Sequence, residues 1–447
     1  MFNLIATAIL TQGQIANQPA PQLQLAQQKV WDVSTPPMPE LMEQVTPVHQ
    51  LRVQPTVEVT TEDNQQRCPI QQSELCSRLN PLEYRLSDLE TQQFSPTAVL
   101  SGEVLLGISS AFGKDVDDSV VFQGSVELKF NISFTGEDNL EVALEKGNSV
   151  DFSFTDEVTS EGRLGFFGDT EGGRLELSEL SYEFPVSDQA SIFISVSGDD
   201  LSDFNPFLED SKDGAISEFG AENPIHNLVE DAGIEVRYDF NDALSVGVGY
   251  YSGEAENPDA GAGLFNGNLS GFVQLEFEPS ERFLLGFTYV YNYNDSGLET
   301  DTGSVRSQVN LDRPVVGNSF GIAASFVPDP RVAVGGWVGL TKATVIDLGE
   351  ANIWNYALTL AFADLGQEGN LLGIVIGQEP RLTGTSGFLI DDQQRDPDTS
   401  WHIEVFYKNQ VSEQISITPG LIWITAPNHD NSNPDLFVFA VRTAFEF

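Results

Sequence analysis

Along most of this chain every second residue is apolar, and that period of two, sustained over unusually long runs, excludes most folds. In 120–134, Val120, Phe122, Gly124, Val126, Leu128, Phe130, Ile132 and Phe134 share one face, and Gln123, Ser125, Glu127, Lys129, Asn131 and Ser133 take the other. In 234–240, Ile234, Val236, Tyr238 and Phe240 oppose Glu235, Arg237 and Asp239. In 283–293 one face is Phe283, Leu285, Phe287, Tyr289, Tyr291 and Tyr293, and in 401–408 Trp401, Ile403, Val405 and Tyr407 oppose His402, Glu404, Phe406 and Lys408. The last run sets Phe437, Phe439, Val441, Thr443, Phe445 and Phe447 against Val438, Ala440, Arg442, Ala444 and Glu446.

A soluble sandwich also alternates, so length and the placement of rings decide between the two. Several runs are 11 to 15 residues long, beyond the roughly five or six of ordinary strands. A tilted strand crosses a bilayer in about 9 to 11 residues, with only alternate ones apolar. The apolar faces carry no charge, which matters because a lipid-facing charge near the midplane costs roughly 2 to 4 kcal/mol. Tyr and Trp gather towards strand ends, at Tyr289, Tyr291, Tyr293, Trp401, Tyr407 and Trp423, as in the aromatic girdles of membrane barrels.

Further strands are expected near 97–110, 138–146, 162–168, 174–184, 190–197, 243–251, 269–278, 316–327, 331–345, 352–363, 371–378 and 413–426, which brings the count to between 16 and 18. In 174–184 the apolar phase slips from Leu175 and Leu177 to Leu180, Tyr182 and Phe184, the mark of a bulge. Hairpins at 240–243 and 327–331 are tight, whereas 199–231, 252–267, 294–314 and 380–399 are long. The pattern predicts an all-β fold: a transmembrane antiparallel β-barrel of about 16 strands over residues 94–447, wide enough to hold an aqueous channel.

Ahead of the barrel the chain changes character. Residues 1–28 open with the apolar run Phe2–Leu10, with no Lys or Arg before it, and read either as an export segment with a weak charged end or as an unstructured tail. Residues 29–78, rich in Pro, Gln and Glu, read as a linker. Leu79, Leu82, Leu86 and Leu89 form one seam of a short helix over 79–93, which either lies against the barrel or joins a small coiled coil. Cys68 and Cys76 are a candidate disulfide within this region or two free thiols. A bridge closing so short a loop would add about 2 to 3 kcal/mol in an oxidising compartment.

The chain carries 67 Asp and Glu against 21 Lys and Arg in 447 residues, a formal charge of −46. That excludes most nucleic-acid binders, which need basic surface, and no nucleic-acid partner is expected. Seven Lys beside 30 Phe fit a membrane barrel better than a soluble surface. No nucleophile elbow, HExxH helix or phosphate loop is present, so neither enzyme chemistry nor a cofactor is expected. Four histidines exist, His49, His226, His402 and His429. His402 falls on the polar face of its strand, where lining a channel fits better than acting as a base.

That polar face, in the barrel reading, carries both signs of charge: Glu127 with Lys129, Glu235 and Asp239 with Arg237, His402 and Glu404 with Lys408, and Arg442 with Glu446. These are the candidate pore-lining residues, or ordinary wall ion pairs. The 199–231 segment carries ten acids and one base, Lys212. It is too long for an ordinary connection. It is expected either to fold into the channel as a constriction bearing Asp203, Asn205, Glu209, Asp210, Asp213, Glu218 and Glu222, or to stay outside as an acidic surface loop. In a narrow throat such carboxylates favour cations over anions.

Several stretches resemble the carbohydrate-selective porins of the OprB type, in particular their cyanobacterial branch of iron-uptake porins. They are QQFSPTAVLSGEV (92–104), LSYEFPV (180–186), DFNPFLED (203–210) with ENPI (222–225), ISITPGLIWITAPNHD (415–430) and VRTAFEF (441–447). The resemblance implies a 16-stranded passive porin of the outer membrane, a homotrimer among outer-membrane lipids, passing sugars, ions or inorganic iron. It also implies that Phe445 and Phe447 form the signal read by the barrel-assembly machinery. The S-layer-homology module usual in that branch is not recognisable in 29–78. The rival readings are a secreted or surface-exposed acidic β-rich binding protein, separable by whether extraction needs detergent, and a barrel hydrolase built around His402.

Overall fold

The computed structural model describes residues 97–447 apart from 114–115, 117–118, 149–158, 166–173, 199–213 and 299. The expected export segment, linker, helix over 79–93 and Cys68–Cys76 pair therefore lie outside the described residues, as do Asp203, Asn205, Glu209, Asp210 and Asp213.

Sixteen strands follow one another, each pairing antiparallel with its neighbours in sequence, and the first closes on the last. They are β1 (Thr97–Phe112), β2 (Val121–Ser133), β3 (Asn139–Gly147), β4 (Glu176–Ser187), β5 (Ala190–Ser197), β6 (Ala232–Asn241), β7 (Leu244–Ser252) and β8 (Leu269–Ser280). The series continues with β9 (Phe283–Asn294), β10 (Val315–Asp329), β11 (Val332–Val345), β12 (Gly349–Ala363), β13 (Leu371–Ser386), β14 (Trp401–Ser412), β15 (Ile415–Thr425) and β16 (Leu436–Glu446). Pairing of Glu103 with Glu446 through Phe112 with Phe437 zips the seam, so no edge is left unpaired.

Side-chain size separates the two faces. On β12 the small or polar residues Ala351, Asn355, Ala357, Thr359 and Ala361 are buried on one side, and Trp354, Tyr356 and Leu358 are exposed on the other. On β6, Ile234, Val236, Tyr238 and Phe240 are 45, 45, 38 and 51 % exposed. A continuous exposed band of large apolar side chains suits hydrocarbon, not water. Rings edge the band: Trp423 stacks on Phe437 at 5.8 Å and Tyr356 meets Trp401 at 6.1 Å nearer one end, while Tyr238 meets Phe240 at 5.0 Å near the other.

Two-residue turns such as 188–189, 242–243, 281–282, 330–331 and 413–414 share one end with the chain terminus, and most connections at the opposite end are long. Asp138 closes the 134–138 turn by accepting hydrogen bonds from the Thr135 amide at 2.6 Å, the Ser133 hydroxyl at 2.9 Å and Tyr182 Oη at 2.9 Å. Desolvation opposes its charge, but these donors prevail and hold the carboxyl well below its usual range. The bulge read in 174–184 is real: Ala143 pairs with Glu179 and Leu144 with Leu177, leaving Ser178 as the extra residue. The strand expected at 162–168 is not part of the barrel. Among its described residues, 162–165, Leu164 makes an isolated bridge with Ser217 and packs against the apolar cluster on the inner wall, as it would in a strand.

Candidate functional site

Among the described residues, three connections turn inward. Residues 214–231, between β5 and β6, run along the inner wall from β16 to β10. Arg442 of β16 donates to the carbonyls of Ala215 at 3.2 Å and Gly214 at 3.4 Å. A methyl group on Gly420 of β15 would sit 2.5 Å from Ile216, and one on Gly377 of β13 2.8 Å from the Phe219 ring. Phe219 meets Trp337 of β11 edge-on at 5.6 Å, and Ile225 fills the space above Gly321 of β10. Only the interior of a closed cylinder brings one segment against so many strands. Small wall residues make the room, and buried Ile216, Phe219 and Ile225 supply the apolar contact.

The second inward segment, 159–165 between β3 and β4, is tied to the first by Gly165 N–H donating to Ile216 O at 3.1 Å and Glu218 N–H to Arg163 O at 3.0 Å. The third, from the β9–β10 connection, joins at Ser160 N–H to Gly303 O, 3.2 Å. Ser217 starts the single helical turn Glu218–Ala221 by accepting from the Gly220 amide at 2.9 Å, an ordinary N-cap.

Beneath these segments lies a dry polar network. His402 of β14 places Nδ1 2.7 Å from Glu379 of β13 and Nε2 3.4 Å from Glu404 of β14. Glu404 accepts from the Ile216 amide at 2.7 Å and from the Ser217 hydroxyl. Glu379 accepts from the Gly162 amide at 3.0 Å, the Gly303 amide at 3.2 Å and the Thr302 hydroxyl. Each carboxylate therefore holds a different inward segment, and one imidazole lies between them. Glu161 accepts from Thr159 Oγ1 at 2.7 Å and from the Asn428 amide. Burial first, then the charge of Glu379, pushes the Glu161 carboxyl up to about 8. His429 accepts the Ser400 amide on Nδ1 at 2.7 Å, so its ring proton is on Nε2, 3.8 Å from Glu161. Burial first, then Arg381, lowers His429 to about 3. Both groups are neutral near pH 7.

Ser217, His402 and Glu379 stand in nucleophile, base and acid order, but the arrangement is structural. The Ser217 hydroxyl is spent on Glu404 and on the Gly220 amide, and Ser217, His402 and Glu379 are each 1 % exposed, so no substrate atom can approach.

On the opposite side the described residues leave space in the lumen. A cavity of about 400 Å³ lies between the wall residues Glu127, Lys129, Ser178 and Glu179 and the inward residues Glu218, Glu222, His226, Asn227, Asp231 and Asp301. Lys129 lies 3.5 Å from Glu127 and 3.7 Å from Glu141. His226 is 3.4 Å from Glu222, and Arg163 pairs with Asp301 at 2.7 Å. Asp231 is pushed up by burial and then by Glu256.

Of the residues expected to line the channel, Glu127 and Lys129 border this cavity. Glu235 and Arg237, 3.6 Å apart, and Asp239 face inward on β6. His402, Glu404, Lys408 and Arg442 also point inward, but all four are buried, the first two and Arg442 beneath the 214–221 segment instead of against open lumen. The difference arises because the segment covers that wall. Glu446 pairs across the seam with Glu103. Glu218 and Glu222 sit on the inward segment at the cavity, and Phe445 and Phe447 end the closing strand. Glu161, Glu179, Asp301 and Glu379 escaped the sequence reading. Glu379 falls where bulges break the alternation of β13, and Glu161 and Asp301 belong to loops with no motif.

A family model described as "Carbohydrate-selective porin, OprB family" matches residues 74–447. An uncharacterised Nostoc sp. protein, alr4550, is 33 % identical over 83 % of this chain and 69 % of its own length. One from Synechocystis sp., sll0772, is 28 % identical over 84 % of this chain and 73 % of its own. Among solved structures, Pseudomonas putida OprB superposes with a TM-score of 0.54 at 12 % identity, over 78 % of this chain and 94 % of that one. A loop-deletion mutant of OmpT, an outer membrane protein of Vibrio cholerae, gives 0.54 at 8 % identity, over 79 % and 100 %. With a closed 16-stranded barrel, an apolar outer band and a cavity between wall and inward segments, the chain belongs to the OprB family of carbohydrate-selective porins: an outer-membrane channel for small solutes, not an enzyme.

Proposed function

We propose that this channel passes small hydrophilic solutes through an off-centre throat that prefers cations. The observation that carries the reading is the charge around the 400 Å³ cavity: among the described residues, Glu127, Glu179, Glu218, Glu222, Asp231 and Asp301 stand against Lys129 and the Arg163 guanidinium paired with Asp301. In a confined passage with low-dielectric walls, fixed charge of one sign concentrates counter-ions and repels co-ions. Among the described residues Val229 is the one apolar side chain in that lining, so they offer a sugar ring little apolar surface to shed water against. Charge and size therefore govern entry, and inorganic cations, iron among them, suit the throat better than sugars do.

Assembly as a homotrimer and recognition of the last strand by the barrel-assembly machinery belong to the same reading. A Vibrio cholerae OmpT structure is described as a trimer form, and Phe445 and Phe447 point out from the closing strand as an aromatic terminal signal would.

The test is the reversal potential in a planar bilayer under a salt gradient, before and after Glu218→Gln with Glu222→Gln. Cation preference that falls on neutralisation supports the throat. Anion preference in the wild type, or unchanged selectivity in the variant, rejects it.

A further inference from the structure

We infer that His402 is the positioning residue of the throat: by bridging Glu379 and Glu404 it couples 214–231 to the other two inward segments, which together shape the opening. The inference rests on the throat proposed above. Its ground is a division of labour between the two carboxylates. Glu404 receives the Ile216 amide and the Ser217 hydroxyl and so seats 214–231. Glu379 receives the Gly162 and Gly303 amides and the Thr302 hydroxyl and so seats 159–165 and the β9–β10 connection. Both carboxylates and the imidazole are fully buried.

Two carboxylates at this spacing in a dry site repel each other, and a group placed between them with a donor for each side offsets the repulsion. The ring is held in place by Phe219, whose centroid lies 5.0 Å away, so the clamp also senses the seat of the segment it holds. The acids at the throat, Glu218 and Glu222, follow Ser217 by one and five residues, and Asp301 precedes Thr302. The imidazole therefore sets the position of charges on 214–231 and on the β9–β10 connection without touching the solute.

The experiment is amide exchange resolved to single residues on the full-length, membrane-reconstituted protein. His402→Leu is expected to speed exchange roughly tenfold at the Ile216 amide and also at the Gly162 and Gly303 amides, the scale of losing charge-assisted hydrogen bonds. Adding Glu379→Gln and Glu404→Gln to His402→Leu is expected to restore rates to near wild type, because neutral amides accept the same backbone donors without repulsion. A role in filling space alone would leave the triple variant as fast as H402L.

Acceleration at only one segment, or no rescue, overturns the inference. If H402L fails to assemble, His402→Asn, whose N–H donors sit on a single nitrogen and so cannot face both carboxylates as the ring does, is read in its place. Faster exchange at either segment then supports the bridge, and wild-type rates at both reject it. A wild-type protein that conducts nothing would overturn the throat and leave the bridge standing, since exchange is read without conduction.

Discussion

Phe447 and Gly102 exchange two backbone hydrogen bonds, Gly102 N–H to Phe447 O at 2.9 Å and Phe447 N–H to Gly102 O at 3.0 Å, and the terminal ring lies over the glycine. A Cβ at position 102 would come within 2.6 Å of that ring. Gly102→Val should therefore lower the yield of heat-modifiable barrel in the outer membrane much as deleting Phe447 does. The selectivity of whatever assembles should be unchanged. Normal yield in both variants would show that the terminal ring and its seat are dispensable.

Among the described residues, Lys129 is the one ammonium beside the acids of the throat. Lys129→Gln should raise the cation-to-anion permeability ratio by roughly two- to threefold at low salt, the Coulomb effect of one charge at a few ångströms in water. The effect should shrink towards nothing at about 1 M salt, where the screening length falls to roughly 3 Å. Reversal potentials at two ionic strengths measure it.

Asp396 ties the β9–β10 and β13–β14 connections together. It accepts from Ser304 Oγ at 2.7 Å and the Leu382 amide at 2.8 Å, and pairs with Arg306 at 3.3 Å. Burial pushes its carboxyl up, against the pull of Ser304, the Leu382 amide and Arg306. Asp396→Ala should cost about 2 to 3 kcal/mol by leaving these donors unmet. Faster proteolysis at Arg306 in the folded barrel would report it.

The seat of the 159–165 segment should have an optimum on the acid side of neutral. Glu161 goes from an ordinary 4.5 when released to about 8 when seated, so it favours seating most below 4.5 and loses that contribution as pH rises through 8. His429 goes from 6.5 to about 3, so its contribution is full above 6.5 and is lost as pH falls towards 3. The two slopes cancel between 4.5 and 6.5, which is where seating is strongest. Exchange at the Asn428 amide, corrected for its intrinsic pH dependence, should be slowest there and faster at pH 8 and above. A flat profile would mean that neither group titrates with the seat.

Val236, 45 % exposed near the middle of β6, faces outward. Val236→Lys should destabilise the barrel in lipid by roughly 2 to 4 kcal/mol, the cost of an ammonium at mid-membrane depth. On a wetted surface the same change would be worth less than about 0.5 kcal/mol. Equilibrium unfolding from bilayers distinguishes the two.

The outer half of this molecule is written into the sequence and the inner half is not. Runs such as 120–134 and 234–240 declare their strands because hydrocarbon on one side and a polar lumen on the other leave a period of two. The phase slip near Leu177 marked its bulge for the same reason. Inside the barrel that logic lapses. Leu164 and Gly165 lie in a stretch that alternates as a strand would, yet they pack against Ser217 and Glu218 instead of a ladder. Glu379 and Glu161 carry no local signature, since what defines them is an amide from a connection more than two hundred residues away. His402 was visible as an inward residue, but nothing in its own run reveals that a segment 185 residues earlier lies on top of it.

The loops that fill one flank of the cylinder divide its wall into unlike territories. Staves β10 to β16 answer to the packing rules of a protein interior, so change there is costly even at residues aimed at the pore. Staves β2 and β4 line the cavity, so changes of charge and size there bear on what passes. Permeation in this protein can therefore drift through one quadrant while the keel opposite it keeps the vessel rigid.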